Sequence, residues 1–195
     1  KAVAKIKKIE PNSLILLTTK VNDSQKAIEG IKSLVKKDTI ILCLQNGLYS
    51  ESLVKKIVGK KCIVLRAVTN FGAAFLKPGV VQFNSRSYTA IGKSPVSNIS
   101  NELAKNFSEC GLNGYVSENI KIDIWKKLIL NCVLNPVTAI LRVENKGIAD
   151  EKLNPLKKLI VDECLKVAKK DGAAFEMDFV ENINSAIKNS KNIST

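Results

Sequence analysis

The sequence contains no histidine in 195 residues, and its five cysteines form no Cys-x-x-Cys pair. The cysteines are far apart along the chain, at Cys43, Cys62, Cys110, Cys132 and Cys164. Zinc sites in proteins use clustered thiolates and imidazoles, and a His-based catalytic triad requires a histidine. The sequence therefore predicts no metal site and no such triad. Because most of the cysteines lie within apolar runs, we expect buried, reduced thiols in a cytoplasmic protein.

Arginine and aromatic residues are also scarce. Aromatic residues make up 5% of the chain, and only three of the 31 basic residues are arginines. The formal net charge of +13 would suit a protein that binds nucleic acid or a membrane surface. However, phosphate and base recognition favours the bidentate guanidinium group, and the lysines are scattered along the chain. No apolar run approaches the length that spans a bilayer. We therefore expect neither a nucleic-acid nor a membrane partner.

Strand and helix signals alternate in the first half of the chain. Short apolar runs predict strands at residues 13–19, 39–44 and 62–68. The segments between them predict helices at 25–36 and 50–57. This alternation is typical of βαβ units with a parallel sheet.

Beyond residue 78 the pattern of predicted strands and helices changes. The Pro78-Gly79 turn is followed by a predicted antiparallel hairpin with strands at 80–83 and 88–91. A helix at 98–110 and an edge strand at 111–116 come next. From residue 120 onward the pattern predicts only helices, at 122–140, 154–171 and 177–188. This change places a domain boundary near residue 118.

Polar side chains recur along one side of the predicted helix at 122–140. At about 100° of rotation per residue, four of them fall within about 80° of one another. They are Lys127, Asn131, Asn135 and Thr138. Most other residues of this helix are apolar, so we expect a largely buried helix whose carboxamides face inward and need partners. A ligand with carboxylate and hydroxyl groups would supply those partners, so the stripe predicts a binding site.

Lys127 has two interpretations. A lysine that is partly desolvated beside a carbonyl substrate can form a Schiff base or protonate the oxyanion as it forms. Alternatively, its stem packs on the core while its ammonium reaches water. Pro136, on the same helix, removes one backbone donor and frees a carbonyl near Cys132, which predicts a kink.

Two further candidates follow predicted strands. Asn46, in Gln45-Asn46-Gly47, comes directly after a buried strand, where ligands of open α/β sheets bind. The alternative is an Asn-Gly turn that needs no ligand. Lys20 occupies the same position after the preceding strand and could meet a cofactor phosphate, or it could be an ordinary surface lysine. The sequence contains no Gly-x-Gly-x-x-Gly phosphate loop.

Several of these motifs together resemble those of the 2-dehydropantoate 2-reductase (ketopantoate reductase) family. The most specific is W-K-K-L-I-L-N-C-V-L-N-P-V-T-A-I at residues 125–140, with Q-N-G upstream and E-N-K-G downstream. The stretch at 69–74, the following Pro78-Gly79-Val80 and the closing S-K-N-I-S-T are also similar to that family. The resemblance covers nearly the whole chain.

The resemblance implies a partial Rossmann-type α/β sheet followed by an all-α domain, in a two-domain architecture like that of 6-phosphogluconate dehydrogenase. Residues 1–117 would form the NADPH-binding domain, and residues 118–195 would form the helical substrate and catalytic domain. The implied activity is the NADPH-dependent reduction of 2-dehydropantoate to pantoate in pantothenate biosynthesis. The substrate is then a small 2-keto acid, the enzyme is cytoplasmic, and a homodimer is possible.

The resemblance also implies roles for single residues. Lys127 would be the general acid, and Asn46 would lie between nicotinamide and substrate. The substrate's hydroxyl and carboxylate would be held by Asn131, Asn135, Asn145 and Thr195, where Thr195 replaces a serine of the family. Lys20 and Ala73 would line the cofactor. Asn145 departs from the family pattern, because Lys146 separates it from Gly147. Thr138 receives no catalytic role and is expected to cap or pack near Pro136.

Compared with the family, the sequence begins after the βαβ unit with the glycine-rich loop and stops before a segment with an acidic active-site residue. We therefore expect the chain to bind NADPH weakly and to be inactive by itself. Two alternatives stay open at this stage. One is a paralogue that reduces another small 2-keto acid. The other is a non-catalytic, basic scaffold protein with the same fold.

Overall fold

Strands are interspersed with helices in the first part of the chain, and helices follow from Ile120 onward. The computed structural model describes residues 3–85, 88–175 and 179–188. The strands are β1 (Leu14–Leu17), β2 (Ile40–Cys43), β3 (Ile63–Thr69), β4 (Gly72–Lys77), β5 (Val80–Ser85), β6 (Thr89–Ile91) and β7 (Gly114–Val116). The α-helices are α1 (Ser24–Glu29), α2 (Ser50–Val58), α3 (Ile99–Glu109), α4 (Ile120–Leu141), α5 (Asn154–Lys170) and α6 (Phe179–Lys188).

The chain divides into two units. The first contains β1–β3, β6, β7 and α1–α3, and the second contains β4, β5, α5, α6 and α4 from Lys121 onward. An α/β sheet is thus followed by a helical region, as the sequence predicted. The assignment of residues 1–117 and 118–195 to two domains remains a prediction.

The first unit is built on a five-stranded sheet with the order β1-β2-β3-β6-β7. β1, β2 and β3 are parallel, β3 and β6 are antiparallel, and β6 and β7 are parallel. Apolar residues of successive strand positions cover both faces. One face has a core that includes Ile28, Ile41, Cys43 and Val54. The other face has a core that includes Leu42, Leu65, Leu103 and Phe107. Burial on both faces explains why β2 and β3 are near-continuous apolar runs. In β1, by contrast, Leu14 and Leu16 are exposed.

The predicted hairpin of residues 80–83 and 88–91 is wrong. β5 pairs instead with β4, across the Pro78-Gly79 turn, and β6 joins the main sheet beside β3. The turn itself explains the pairing, because Gly79 has a φ of +79° and reverses the chain between the strands on either side of it. The rings of Phe71 and Phe83 lie 5.7 Å apart at one end of this hairpin.

Helix α1 is shorter than predicted. It ends at Glu29, and the segment predicted to continue to residue 36 forms turns. The amide of Gly30 donates to the carbonyl of Lys26, and glycine is a poor helix former, so the helix stops there. Helices α2 to α6 and the edge strand β7 lie within a few residues of their predicted positions.

The cysteines are less uniformly buried than expected. Cys43 is buried, and burial raises the pKa of its thiol to about 12. Cys110 is exposed, which contradicts the expectation of buried thiols, because it follows α3 at the sheet's periphery rather than lying within a strand. Cys62, Cys132 and Cys164 are half-buried. Burial, together with the neighbouring Cys132, raises the pKa of Cys164 to about 11.

Helix α4 is the longest element, with 22 residues. It is long and apolar enough to span a membrane by length and composition alone, contrary to the expectation from the sequence. The core helix of a globular protein meets the same criterion. Five side chains of α4 are buried in the structure: Trp125, Ile129, Val133, Val137 and Thr138.

The start of α4 is fastened to the end of α5 through Asp171. The indole N–H of Trp125 donates to Asp171 Oδ2 at 2.8 Å, and Lys121 Nζ lies 3.3 Å from the same oxygen. Lys121 also donates to the carbonyl of Asp171. The hydrogen bond from Trp125, reinforced by Lys121, lowers the pKa of Asp171 below its ordinary value. These contacts fix the position of the helix that carries Lys127.

Lys157 fastens a second segment of this unit. It is fully buried, and its ammonium donates to the carbonyls of Ile148 at 2.7 Å and Asp150 at 3.3 Å, and to Asn184 Oδ1 at 2.6 Å. Ile148 belongs to a 3₁₀ helix, Asn145–Ala149, that also carries the candidate Asn145. Lys157 on α5 therefore joins this 3₁₀ helix to α6.

The contact between Trp125 and Asp171 predicts a fluorescence change in acid. A lowered folded-state pKa means that the Asp171 carboxylate stabilises the fold at neutral pH and that this contribution is lost as pH falls through the folded-state pKa. Trp125 is the chain's one tryptophan, so its emission should change with a midpoint below pH 3.8, the ordinary pKa of aspartate. Asp171→Asn should remove this transition. Asp162→Asn, a control on the surface of α5, should leave it in place, and an unchanged transition in Asp171→Asn would contradict the assignment.

Replacing Lys157 should destabilise the fold although methionine fits the space. Lys157→Met leaves the buried Ile148 carbonyl and Asn184 Oδ1 without their donor, which costs about 1–3 kcal/mol for each unsatisfied group. We expect the free energy of unfolding in urea to fall by about 2 kcal/mol or more. Lys158→Met is the matched control, because Lys158 is exposed and pairs with Asp162 on the same helix. Its free energy of unfolding should change by about 0.5 kcal/mol or less. Equal stabilities of the two variants would refute the importance of the Lys157 contacts.

Candidate active site

Two candidate residues follow neighbouring parallel strands of the first unit. Leu17 of β1 pairs with Cys43 of β2, so the two strands end at the same edge of the sheet. Lys20 follows β1, precedes a 3₁₀ helix at Val21–Asp23 and has an exposed side chain. Asn46 follows β2 and is also exposed. The fold therefore places both residues at the carboxyl edge, where α/β sheets bind ligands.

Gln45 links the two strand ends. Its side chain is buried, and its Nε2 donates to Ser24 Oγ at 2.6 Å, to the Thr19 carbonyl at 2.9 Å and to Thr19 Oγ1 at 3.1 Å. Thr19 precedes Lys20, and Ser24 begins α1. From the sequence, Gln45 was only part of a three-residue motif. The structure shows that it holds the segment after β2 against the segment after β1.

Arg66 holds the other side of Asn46. It is 3% exposed, and its guanidinium donates to the carbonyl of Cys43 at 3.0 Å and to that of Gly47 at 2.9 Å. Burial lowers the pKa of Arg66, although an arginine stays protonated at neutral pH. Gly47 has a φ of +95°, so the Asn-Gly turn that the sequence allowed is present. Asn46 is exposed beside Gly47, so the turn does not prevent its side chain from contacting a ligand.

The candidate stripe on α4 lies opposite the helix's buried side. Trp125, Ile129, Val133 and Val137 are buried and recur every fourth residue. Lys127 follows Trp125 by two residues, which is about 200° around the helix. Lys127 and Asn131 are half-buried, and Asn135 is exposed. The expectation that the carboxamides face inward is therefore wrong for Asn135, whereas Asn131 is half-buried. An apolar helix does not reveal from its sequence which of its sides packs. Part of the stripe is thus exposed at the helix surface.

Thr138 does not share this environment. Its side chain is buried, and its hydroxyl donates to the carbonyls of Leu134 at 2.8 Å and Asn135 at 3.0 Å. These bonds lie beside Pro136, where a proline removes a backbone donor, and α4 continues through it to Leu141. Thr138 thus packs near the proline, as predicted, and differs in environment from Lys127, Asn131 and Asn135.

The remaining candidates lie on other elements. Asn145 begins the 3₁₀ helix that Lys157 holds, and it is half-buried. Ala73 is exposed on β4, where it pairs with Phe83 of β5. Thr195 lies outside the described residues. The structure thus brings Lys20 and Asn46 together in the first unit, and it groups Lys127, Asn131 and Asn135 on one helix face in the second.

Of two buried basic residues that were not predicted from the sequence, Arg66 has a signal in the sequence and Lys157 has none. Arg66 is a charged residue within an apolar run of a predicted buried strand, where such a residue needs hydrogen-bond partners. Lys157 follows a proline by two residues at the start of a helix and shows no such signal, because its partners Ile148 and Asn184 are distant in sequence.

Comparisons with known proteins agree with this arrangement. The model of the ketopantoate reductase PanE/ApbA family matches residues 1–95, and the model of its C-terminal part matches residues 119–195. A 2-dehydropantoate 2-reductase of Pyrococcus horikoshii is 34% identical over 184 residues, which are 93% of this chain and 60% of that protein.

Two solved structures share the fold. A PanE/ApbA family ketopantoate reductase from Ralstonia eutropha JMP134 has a TM-score of 0.80 at 27% identity, over 93% of this chain and 60% of that one. D-mandelate dehydrogenase with NADH and anilino(oxo)acetate has a TM-score of 0.79 at 27% identity, over 95% of this chain and 59% of that one. The chain therefore spans about 60% of the length of these relatives. The predicted Rossmann-type sheet followed by helices is confirmed, and the chain belongs to the ketopantoate reductase family.

Proposed function

We propose that this chain is part of a cytoplasmic, NADPH-dependent reductase that converts 2-dehydropantoate to pantoate in pantothenate biosynthesis. The observation that carries the proposal is the ligand-accessible stripe of α4. It presents an ammonium and two carboxamides on successive helical turns, at Lys127, Asn131 and Asn135, opposite the buried side. A 2-keto acid with a hydroxyl and a carboxylate offers acceptors and a donor that match these groups.

Lys127 is proposed as the general acid. Reduction of the C2 carbonyl adds a hydride to carbon and leaves negative charge on oxygen, and the Lys127 ammonium donates the proton that completes the product hydroxyl. Asn131 and Asn135 orient the substrate through its carboxylate and hydroxyl, so that the carbonyl oxygen lies within reach of Lys127. Asn145 adds a further carboxamide from the 3₁₀ helix, and Thr195 adds a hydroxyl.

The carboxyl edge of the sheet offers groups that suit a nicotinamide cofactor. Lys20 presents an exposed ammonium to a phosphate, and Asn46 presents an exposed carboxamide to the nicotinamide end. Ala73, which is exposed on β4, is proposed as a further residue that lines the cofactor. When bound, the cofactor supplies the hydride. The Asn46 carboxamide holds the nicotinamide and the substrate carbonyl in position for hydride transfer. The buried Gln45 keeps the two strand ends together.

A reductase of a different 2-keto acid is the second candidate. The likeness to D-mandelate dehydrogenase, a structure that contains NADH and anilino(oxo)acetate, favours this alternative. Both candidates use the same stripe, and they differ in the apolar group next to the keto carbon and in the cofactor.

A substrate panel separates the candidates. The intact protein that carries this sequence would be assayed for oxidation of NADPH and of NADH with 2-dehydropantoate and with phenylglyoxylate, the keto acid that corresponds to mandelate. We expect the highest kcat/KM with 2-dehydropantoate and NADPH. A preference for phenylglyoxylate and NADH would support the second candidate. The lack of turnover with every pair would refute both and favour a non-catalytic, basic scaffold protein.

Removal of the Lys127 ammonium should depress turnover selectively. In the intact protein we expect Lys127→Ala to lower kcat by about 10²–10⁴-fold, because a general acid contributes a factor of this size. Lys126→Ala is the matched control, since the neighbouring lysine lies about 100° away on the same helix, and its kcat should stay within about twofold of the wild type. Near-normal turnover of Lys127→Ala would falsify the assignment.

A further inference from the structure

Arg66 occupies an unusual position for a charged residue. It lies in the middle of β3, pairs in register with Cys43 of β2 and is 3% exposed. Arginine is rarely buried to this extent in a protein core, and an apolar side chain would fill the same place in the strand without desolvating a charge. Its presence therefore needs an explanation other than packing.

The hydrogen bonds of Arg66 do not make an efficient stabilising contact. Its two terminal nitrogens bind neutral carbonyls, of Cys43 and Gly47, and its Nε has no hydrogen-bond partner within the described residues. Desolvation lowers the pKa of its guanidinium, which shows that the fold bears a cost for burying it. A buried cation with one unsatisfied N–H adds little to stability.

Arg66 instead restrains the backbone of the segment that follows β2. Its two carbonyl acceptors lie at the two ends of a segment, residues 43–47, which we call the Asn46 loop. Hydrogen bonds from an ionised donor are short and directional, so one planar guanidinium fixes both ends of the loop relative to each other. Gly47 is held at a φ of +95°, which orients its carbonyl toward Arg66.

The rest of the Asn46 loop is anchored as well. Gln45 is tied through Nε2 to Thr19 and Ser24, so both neighbours of Asn46 are held by buried side chains. Asn46 itself is exposed. A single polar side chain that projects from a loop fastened on both sides is the arrangement expected for a preorganised binding group.

We propose that Arg66 is a positioning residue, which holds the Asn46 loop so that the Asn46 carboxamide meets the reacting end of the nicotinamide cofactor and its keto-acid substrate. This inference rests on the proposed function for the role of Asn46. The restraint that Arg66 places on the loop is independent of that function. Kinetic measurements test the role of Asn46 and the restraint by Arg66 together. Amide hydrogen exchange, which needs no turnover, tests the restraint alone.

The kinetic test is a double-mutant cycle in the intact protein. Arg66→Met should lower kcat about 10–100-fold while changing the KM for the cofactor less than about threefold, because the loop still folds but presents Asn46 poorly. Asn46→Ala should lower kcat by at least as much. In the Asn46→Ala background, Arg66→Met should cause less than about a threefold further loss. Arg66→Lys, which keeps a cation for one carbonyl, should recover part of the activity.

The second readout is amide hydrogen exchange followed residue by residue. In Arg66→Met, exchange should accelerate at least tenfold for the amides of residues 45–49, while the amides of the core strands β2 and β3 keep their protection. If Arg66→Met does not fold, Arg66→Lys carries the same comparison.

The outcomes are distinct. Losses of kcat that multiply in both backgrounds, or unchanged exchange in the Asn46 loop, would overturn the positioning role of Arg66. Full turnover of Asn46→Ala would overturn the proposed role of Asn46 instead, and exchange in the loop would then decide the restraint by Arg66 alone. Accelerated exchange together with non-additive kinetics supports the inference.

Discussion

Hydrogen bonds from buried cations to backbone carbonyls are the interaction on which both units depend. In the first unit Arg66 binds the carbonyls of Cys43 and Gly47, and in the second Lys157 binds those of Ile148 and Asp150. Such bonds are directional and stronger than those between neutral groups, but they require the burial of a charge. In each case the fastened segment carries an asparagine that the family resemblance assigns to the active site. The cost of burial is thus associated with the placement of a group that we propose to bind ligand.

Much of the architecture could be predicted from local patterns. The buried strands appeared as apolar runs, and α4 to α6 appeared through their periodicity, because both signals depend on nearby residues. Strand pairing was harder to predict. β6 pairs with β3, and the turn signal near Gly79 carries no information about that pairing. The orientation of α4 also needed the structure. Its sequence is apolar on several sides, and only the packing of Trp125 and its neighbours shows that Lys127 lies on the accessible side.

The sequence identified candidate site residues, but it did not identify the buried side chains that hold their segments in place. Lys20, Asn46 and Lys127 could be found because each stands out against apolar surroundings or after a strand end. Gln45 and Lys157 could not, because a buried polar side chain is recognisable only with its partners, and these lie 7 to 27 residues away. Membership of the ketopantoate reductase family agrees with the fold, which is shared with D-mandelate dehydrogenase.

In the proposed reaction, Lys127 delivers a proton to the keto oxygen of the substrate. A crystal structure of the intact protein with NADP⁺ and a non-reducible analogue of 2-dehydropantoate would show whether Lys127 is placed to do so. The oxygen equivalent to the keto group should lie within about 3 Å of Lys127 Nζ, with the analogue's carboxylate or hydroxyl on Asn131 or Asn135. An analogue bound with another side chain at that oxygen, and with Lys127 turned away from it, would rule out Lys127 as the proton donor.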